Sequence, residues 1–211
     1  EQLYDTTMAL LEYGVKNILV EKPGGLETLE IEKLKIKSAE KNAHVFIAYN
    51  RRFYSSTIKA QELIALEGGV TSFNFELTEW SHVIENLDKP TTVLSKWFLA
   101  NSTHVADMAF FLGGAPQEIT CYTSGRLSWH PSASNFSGAG VSKGGALFNY
   151  GANWNSAGRW SVEVLTSENR YIFRPMESLI VQKRGSIKQE AVEIDDELDT
   201  RFKPGLYLQV A

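Results

Sequence analysis

The chain has 211 residues, 43% of them apolar and 22% charged, with a formal net charge of −4. That is room for one large domain or two small ones around a real core, and the acidic balance argues against a nucleic-acid surface. A single cysteine, Cys121, excludes an internal disulfide and points to a reducing, cytoplasmic setting; no apolar run approaches a membrane span and the first residues are not a signal peptide.

Residues 3–13 are predicted to form a helix. Tyr4, Met8 and Leu11 fall at i, i+4 and i+7, and Gly14 stands where a C-terminal cap belongs. Ile18, Leu19 and Val20 form an unbroken apolar run, expected as a strand over 17–21 covered on both faces of a parallel sheet. Pro23, Gly24 and Gly25 stop it abruptly. Residues 26–41 read as a second helix with a smeared stripe: Ile31 and Leu34 share one face, Leu29 and Ile36 another. Its dense alternating charges mark a solvated face. His44 to Tyr49 gives a second buried strand. Helix, strand, helix, strand implies a parallel sheet with helical crossovers. Two strands do not make a stable doubly wound sheet, so the chain reads as beginning in the middle of one. The start at Glu1-Gln2-Leu3, without methionine, and the stop at Ala211 after an apolar stretch both read as cut ends.

After Asn50-Arg51-Arg52-Phe53 the character changes. A helix is expected over 55–66, opened by Ser55 or Ser56 and packed through Ala60, Leu63 and Ile64. A strand runs from Thr71 to Trp80, a polar irregular segment fills 81–100, and a helix over 101–112 is closed by Gly113-Gly114 with Pro116 beyond. From Gln117 onward strands are expected at about 118–124, 145–154, 160–167, 170–174, 179–184 and 187–194, joined largely by short turns. A Ser/Gly-rich stretch over 125–144, carrying Trp129 and His130, reads as a long lid or binding loop. The expected fold class is α/β. Residues 1–51 are the C-terminal portion of a Rossmann-type parallel sheet; residues 52–211 are an α+β domain with a large, mostly antiparallel open sheet.

Lys22 is delivered to the carboxyl end of a strand, the edge where open α/β sheets bind ligands. There it can hydrogen-bond a substrate hydroxyl and a cofactor together; the plain alternative is a surface lysine beside a turn. On the helix over 101–112, Val105, Met108, Ala109 and Leu112 make the core face, and His104, Asp107 and Phe111 a neighbouring stripe. The positive end of the helix dipole keeps the His104 ring neutral, as a general base requires. A hydrogen-bonded core histidine is the plain alternative. No third ligand lies near His104 and Asp107 in sequence, so no metal is expected. Arg51 and Arg52 can grip a phosphate or carboxylate, although salt bridges between the two domains are the preferred reading of Arg52. Trp80, His82, Trp97, Trp129 and His130 lie in or beside loops, where they either rim a sugar site or anchor the loop. Trp154 and Trp160 are expected to pack or dimerise, and Cys121 to be a buried small apolar residue.

Glu21-Lys22-Pro23 at a strand end, Tyr49-Asn50-Arg51-Arg52-Phe53, Asn101-Ser102-Thr103-His104-Val105-Ala106-Asp107 and Leu112-Gly113-Gly114 follow one another in order. Together they resemble the glucose–fructose oxidoreductase / inositol dehydrogenase / rhizopine-catabolism (Gfo/Idh/MocA) family of NAD(P)-dependent oxidoreductases, from residue 1 to about 200. The resemblance implies hydride transfer between NAD or NADP and a hydroxyl-bearing carbon of a sugar, cyclitol or sugar derivative. It implies Lys22 and His104 as the catalytic pair. Glu21, Lys22, Pro23, Tyr49 and Arg51 would border the cofactor, with a cis Lys22–Pro23 bond. Lys22, Arg51, Asn101, His104 and Trp97 would contact the substrate. Partners would be a small sugar-like molecule and, through the open sheet, further copies of the chain, with no nucleic acid and no membrane.

Two departures qualify this. The Gly-rich dinucleotide fingerprint is absent, as if about 80 residues preceded Glu1, and Gly24-Gly25 lacks its spacing. Many members also carry an aspartate four residues before the histidine, where this chain has Ala100. The parent protein is therefore expected to be an oxidoreductase of which this chain is a fragment. The alternative is a non-catalytic relative acting as a nucleotide or sugar sensor or regulatory subunit.

Overall fold

The computed structural model describes residues 2–211. The elements run α1 (Leu3–Tyr13), β1 (Asn17–Glu21), α2 (Thr28–Glu40), β2 (His44–Ala48), a 3-10 turn (Asn50–Phe53), α3 (Ser55–Leu66), β3 (Ser72–Glu76), α4 (Ser81–Ile84), α5 (Thr91–Leu94), a π turn (Phe98–Ser102) and α6 (Thr103–Gly113). Seven strands follow, β4 (Pro116–Ser124), β5 (Asn135–Ser142), β6 (Leu147–Asn153), β7 (Ser161–Leu165), β8 (Asn169–Phe173), β9 (Ile180–Lys183) and β10 (Gln189–Ala191), then short helices α7 (Glu197–Arg201) and α8 (Leu206–Val210). The fold is mixed α/β, with a small parallel sheet and a large, mostly antiparallel one. The chain divides into two compact units, residues 1–49 with 90–103, and residues 50–89 with 104–211.

In the first unit β1 and β2 pair in parallel, Ile18 opposite Val45 and Val20 opposite Ile47. Gly14 takes the left-handed conformation and its N–H caps the Leu10 and Leu11 carbonyls, ending α1 as its position predicts. Leu11, Ile18 and Leu34 form a buried cluster, with Met8 and Val45 packed on it. The expected burial of both strand faces fails: Leu19 and Phe46 are exposed, because α1 and α2 cover only the Ile18 face. Leu34 is the one buried residue of α2, as a smeared apolar stripe implies.

In the second unit eight strands order as β10-β9-β8-β7-β3-β6-β5-β4. Only β3–β6 is parallel. One face carries Phe73, Phe75 and Phe148, against which Phe110 of α6 packs edge-on at centroid distances of 5.0–5.8 Å. The predicted loop over 125–144 is half strand. β5 is Gly- and Ser-rich and weak in intrinsic β preference, yet it pairs along its length with β4 and β6. Gly138 lies opposite Tyr150 and Gly140 opposite Phe148; a Cβ on Gly140 would collide with the Glu118 carbonyl and one on Gly138 with the Tyr150 ring. The glycines are there because cross-strand rings cover the backbone.

Two further expectations are corrected. Cys121 is exposed, because β4 is the sheet's edge and every one of its residues is exposed. α3 is opened neither by Ser55 nor by Ser56: the Ser55 N–H donates to Asp199 Oδ2 at 2.8 Å, and Ser56 Oγ donates to the Met176 carbonyl. Within the second unit Arg52 grips Asp107 bidentately, Nε to Oδ2 at 2.8 Å and Nη2 to Oδ1 at 2.5 Å, and lies over Phe111.

Candidate active site

Glu21, Lys22, Pro23, Tyr49, Trp97 and Asn101 belong to the first unit; Arg51 and His104 belong to the second. In the first, β1 ends at Glu21 and the Lys22–Pro23 peptide is cis. The Glu21 carboxylate accepts the Lys22 backbone N–H at 3.2 Å. The Lys22 ammonium donates to the backbone carbonyl of Ala100. Ala100 and Asn101 lie in the π turn, which departs from the 100° per residue of an ideal helix. Lys96 pairs with Glu27 at 2.5 Å, tying the segment carrying Trp97 and Asn101 to the start of α2.

The turn after Lys22 is closed by the first turn of α2. Glu30 Oε2 accepts the Leu26 N–H at 2.6 Å and the Glu27 N–H at 3.2 Å. Both amides precede the first helical residue, and Glu30 reaching back to the Glu27 N–H is half of the capping box of α2. A Cβ on Gly24 would strike Ile47, so that glycine serves packing. Lys22 follows the carboxyl end of β1, the edge where open α/β sheets bind ligands.

In the second unit His104 is 8% exposed, and its ring centroid lies 6.4 Å from that of Trp160. Arg51 stacks on the same indole, Cζ 4.8 Å from the ring, and lies 5.8 Å from the buried Tyr54 ring. Trp160 thus brings the predicted Arg51 and His104 together. Arg159 lies 4.5 Å from Trp160 and bonds the buried Glu79 carboxylate at 3.3 Å. Burial pulls the Arg51 guanidinium below its ordinary pKa, opposed by Tyr54 and Glu177; burial pushes the Tyr54 phenol up. The sequence did not single out Arg159, Trp160 and Glu79 as members of the cluster around Arg51 and His104. An Arg-Trp pair after a turn was a visible signal, whereas nothing local marks Glu79 as buried.

Trp129 and His130 anchor their segment. Trp129 stacks on Trp154 at 5.9 Å and donates to Ser81 Oγ at 2.9 Å, and His130 packs edge-on to Trp154. Trp80 donates to the Gly158 carbonyl. Among the described residues no three His, Cys, Asp or Glu side chains group to hold a metal ion, and no helix is long and apolar enough to cross a membrane.

No protein-family model and no curated protein matches the sequence. Solved structures do match. Levoglucosan dehydrogenase in complex with NADH and levoglucosan has a TM-score of 0.73 at 21% identity, over 90% of this chain and 58% of that one. An NAD binding oxidoreductase from Klebsiella pneumoniae has 0.72 at 18%, over 90% and 57%. UDP-N-acetylglucosamine 3-dehydrogenase GnnA from Acidithiobacillus ferrooxidans has 0.70 at 18%, over 92% and 61%. At these identities the likeness is one of fold: the chain has the fold of the corresponding part of NAD-binding oxidoreductases. It spans less than two thirds of the length of each.

Proposed function

We propose that the full-length protein is a Gfo/Idh/MocA-type oxidoreductase that uses NAD or NADP on a sugar, cyclitol or sugar derivative, with Lys22 and His104 as its catalytic pair. The observation that carries this reading is the position of Lys22, at the carboxyl end of a parallel strand pair, in a fold shared with sugar dehydrogenases, one of them solved with NADH and levoglucosan. The nicotinamide, when bound, supplies the hydride acceptor. His104 takes the hydroxyl proton as the carbon is oxidised. Lys22, with a reference pKa of about 10.4, acts as a cation and donor that stabilises developing alkoxide. Glu21, Pro23, Tyr49 and Arg51 border the cofactor, and Trp97, Asn101 and Arg51 the substrate. Residues 1–51 continue a Rossmann-type domain, residues 52–211 form the substrate domain, and copies associate through the open sheet in the cytoplasm.

Ala100 favours a second reading, a relative that binds nucleotide and sugar without turnover. The test mixes the full-length protein with NAD⁺ or NADP⁺ and a sugar panel and follows absorbance at the nicotinamide band. Reduction with at least one sugar is the expected result. Ligand-induced thermal stabilisation across the panel with no reduction would establish the sensor reading instead.

A further inference from the structure

The second unit holds a cavity of about 250 Å³ lined by Arg51, Arg159, Trp160, Arg174, Met176 and Glu177. Its charges are mostly matched. Arg159 bonds Glu79 and Arg174 bonds Glu76 at 2.7 Å. Glu177 is the remaining carboxylate at the cavity, and it faces Tyr54 as well as Arg51. Arg51 differs from the other two arginines. Among the described residues its guanidinium has no ion pair, and its buried Nε has no hydrogen-bond partner. The Trp160 indole, 8% exposed, also has a buried N–H without a partner. An unmade bond at a buried donor costs about 1–3 kcal/mol, so two such donors at one cavity, one on a guanidinium, call for an acceptor carrying negative charge. The same indole packs against His104, so an anion held there lies beside the proposed base.

We infer that this cavity is a subsite for an acidic group on the substrate, a carboxylate or phosphate carried by the sugar and received by Arg51 and the Trp160 N–H. This rests on the reading of the protein as a sugar oxidoreductase and narrows its substrates to acidic sugars.

Isothermal titration of the full-length protein, with NAD⁺ and without, tests it by binding alone. The probes are glucose against glucuronate, galactose against galacturonate, and glucose against glucose 6-phosphate. At least one acidic member is expected to bind tenfold or more tighter than its neutral partner, and which pair does so separates carboxylate from phosphate. Arg51→Gln should abolish the preference and Trp160→Phe, which keeps the ring and removes only the N–H, should reduce it about threefold or more. The preference should also weaken between 50 and 500 mM NaCl. Equal or weaker binding of the acidic member in every pair, no binding by any probe, or a preference that both variants retain overturns the inference. The two readings fail separately. Neutral-sugar oxidation with no acid preference leaves the oxidoreductase standing without this subsite; variant-sensitive acid binding without nicotinamide reduction leaves the subsite without the reaction.

Discussion

Lys22 sits where a strand ends, and its ammonium is held by a main-chain carbonyl. Replacing Lys22 with alanine removes little apolar packing and the charge-assisted hydrogen bond to Ala100, worth about 1–2 kcal/mol of stability. If it stabilises developing alkoxide, the loss in kcat/KM is about 100-fold or more. Lys22→Ala in the full-length protein should therefore unfold in urea close to the wild type while turning over far more slowly; near-normal turnover removes Lys22 from the mechanism. At this scale the sequence was informative about position and silent about partners. Pro23 and the two glycines announce where the strand ends, so Lys22 was readable. The Ala100 carbonyl as its partner was not, because a π turn five residues long has no local sequence signature. Trp160 was read as packing or dimerising; its meeting with Arg51 and His104 depends on tertiary geometry.

Elements whose periodicity or punctuation is strong came out within a residue or two: α1, α3, β1 and β2 all lie where the spacing puts them. β5 did not, since its glycines are meaningful only beside Tyr150 and Phe148. A similar long-range dependence holds the end of α3 to the β7–β8 turn. Beyond α3, Glu67 Oε1 accepts from the Tyr171 hydroxyl and the Asn169 amide, both at 2.6 Å, and Oε2 accepts from Thr166 Oγ1 at 2.5 Å. Burial pushes the Glu67 carboxyl up, but the three donors together hold it below its ordinary value. Burial, reinforced by Glu67, pushes the Tyr171 phenol up. A folded pKa below the unfolded one means that Glu67 contributes fully above about pH 4.3, and that the contribution disappears as pH falls through the folded value. For Tyr171 the sign is opposite: its contribution is complete below about pH 10 and is lost above it. Glu67→Gln should cost about 1–2 kcal/mol at pH 7, read from urea midpoints. The gap from wild type should close on titration towards pH 3; a gap that stays constant over that range would assign the cost to packing alone.

At the scale of the whole second unit, the eight-stranded sheet uses one face for the aromatic core and α6 and leaves the other open. Registered neighbours across the open face run Glu118, Val141, Leu147 and Ser72 at one level, and Tyr122, Ser137, Gly151 and Glu76 at another. Most of these are polar or small, as suits a face in water. Leu147 and Tyr122 are not, and they are 65% and 71% exposed. The same side of the sheet that ends in the bare β4 edge thus carries two large apolar groups among side chains small enough to let another surface approach. A second copy of the sheet would bury both and shield that edge, an arrangement that a twofold axis makes self-complementary. Sedimentation velocity of the full-length protein at micromolar concentration should then show a dimer or larger species. Leu147→Arg with Tyr122→Glu should shift it towards monomer while changing the thermal midpoint little, since both side chains are solvent-facing within one copy. Identical sedimentation of wild type and double variant at every concentration would show that this face does not join copies. The two exposed residues would then be scattered surface apolar groups of the kind most proteins carry.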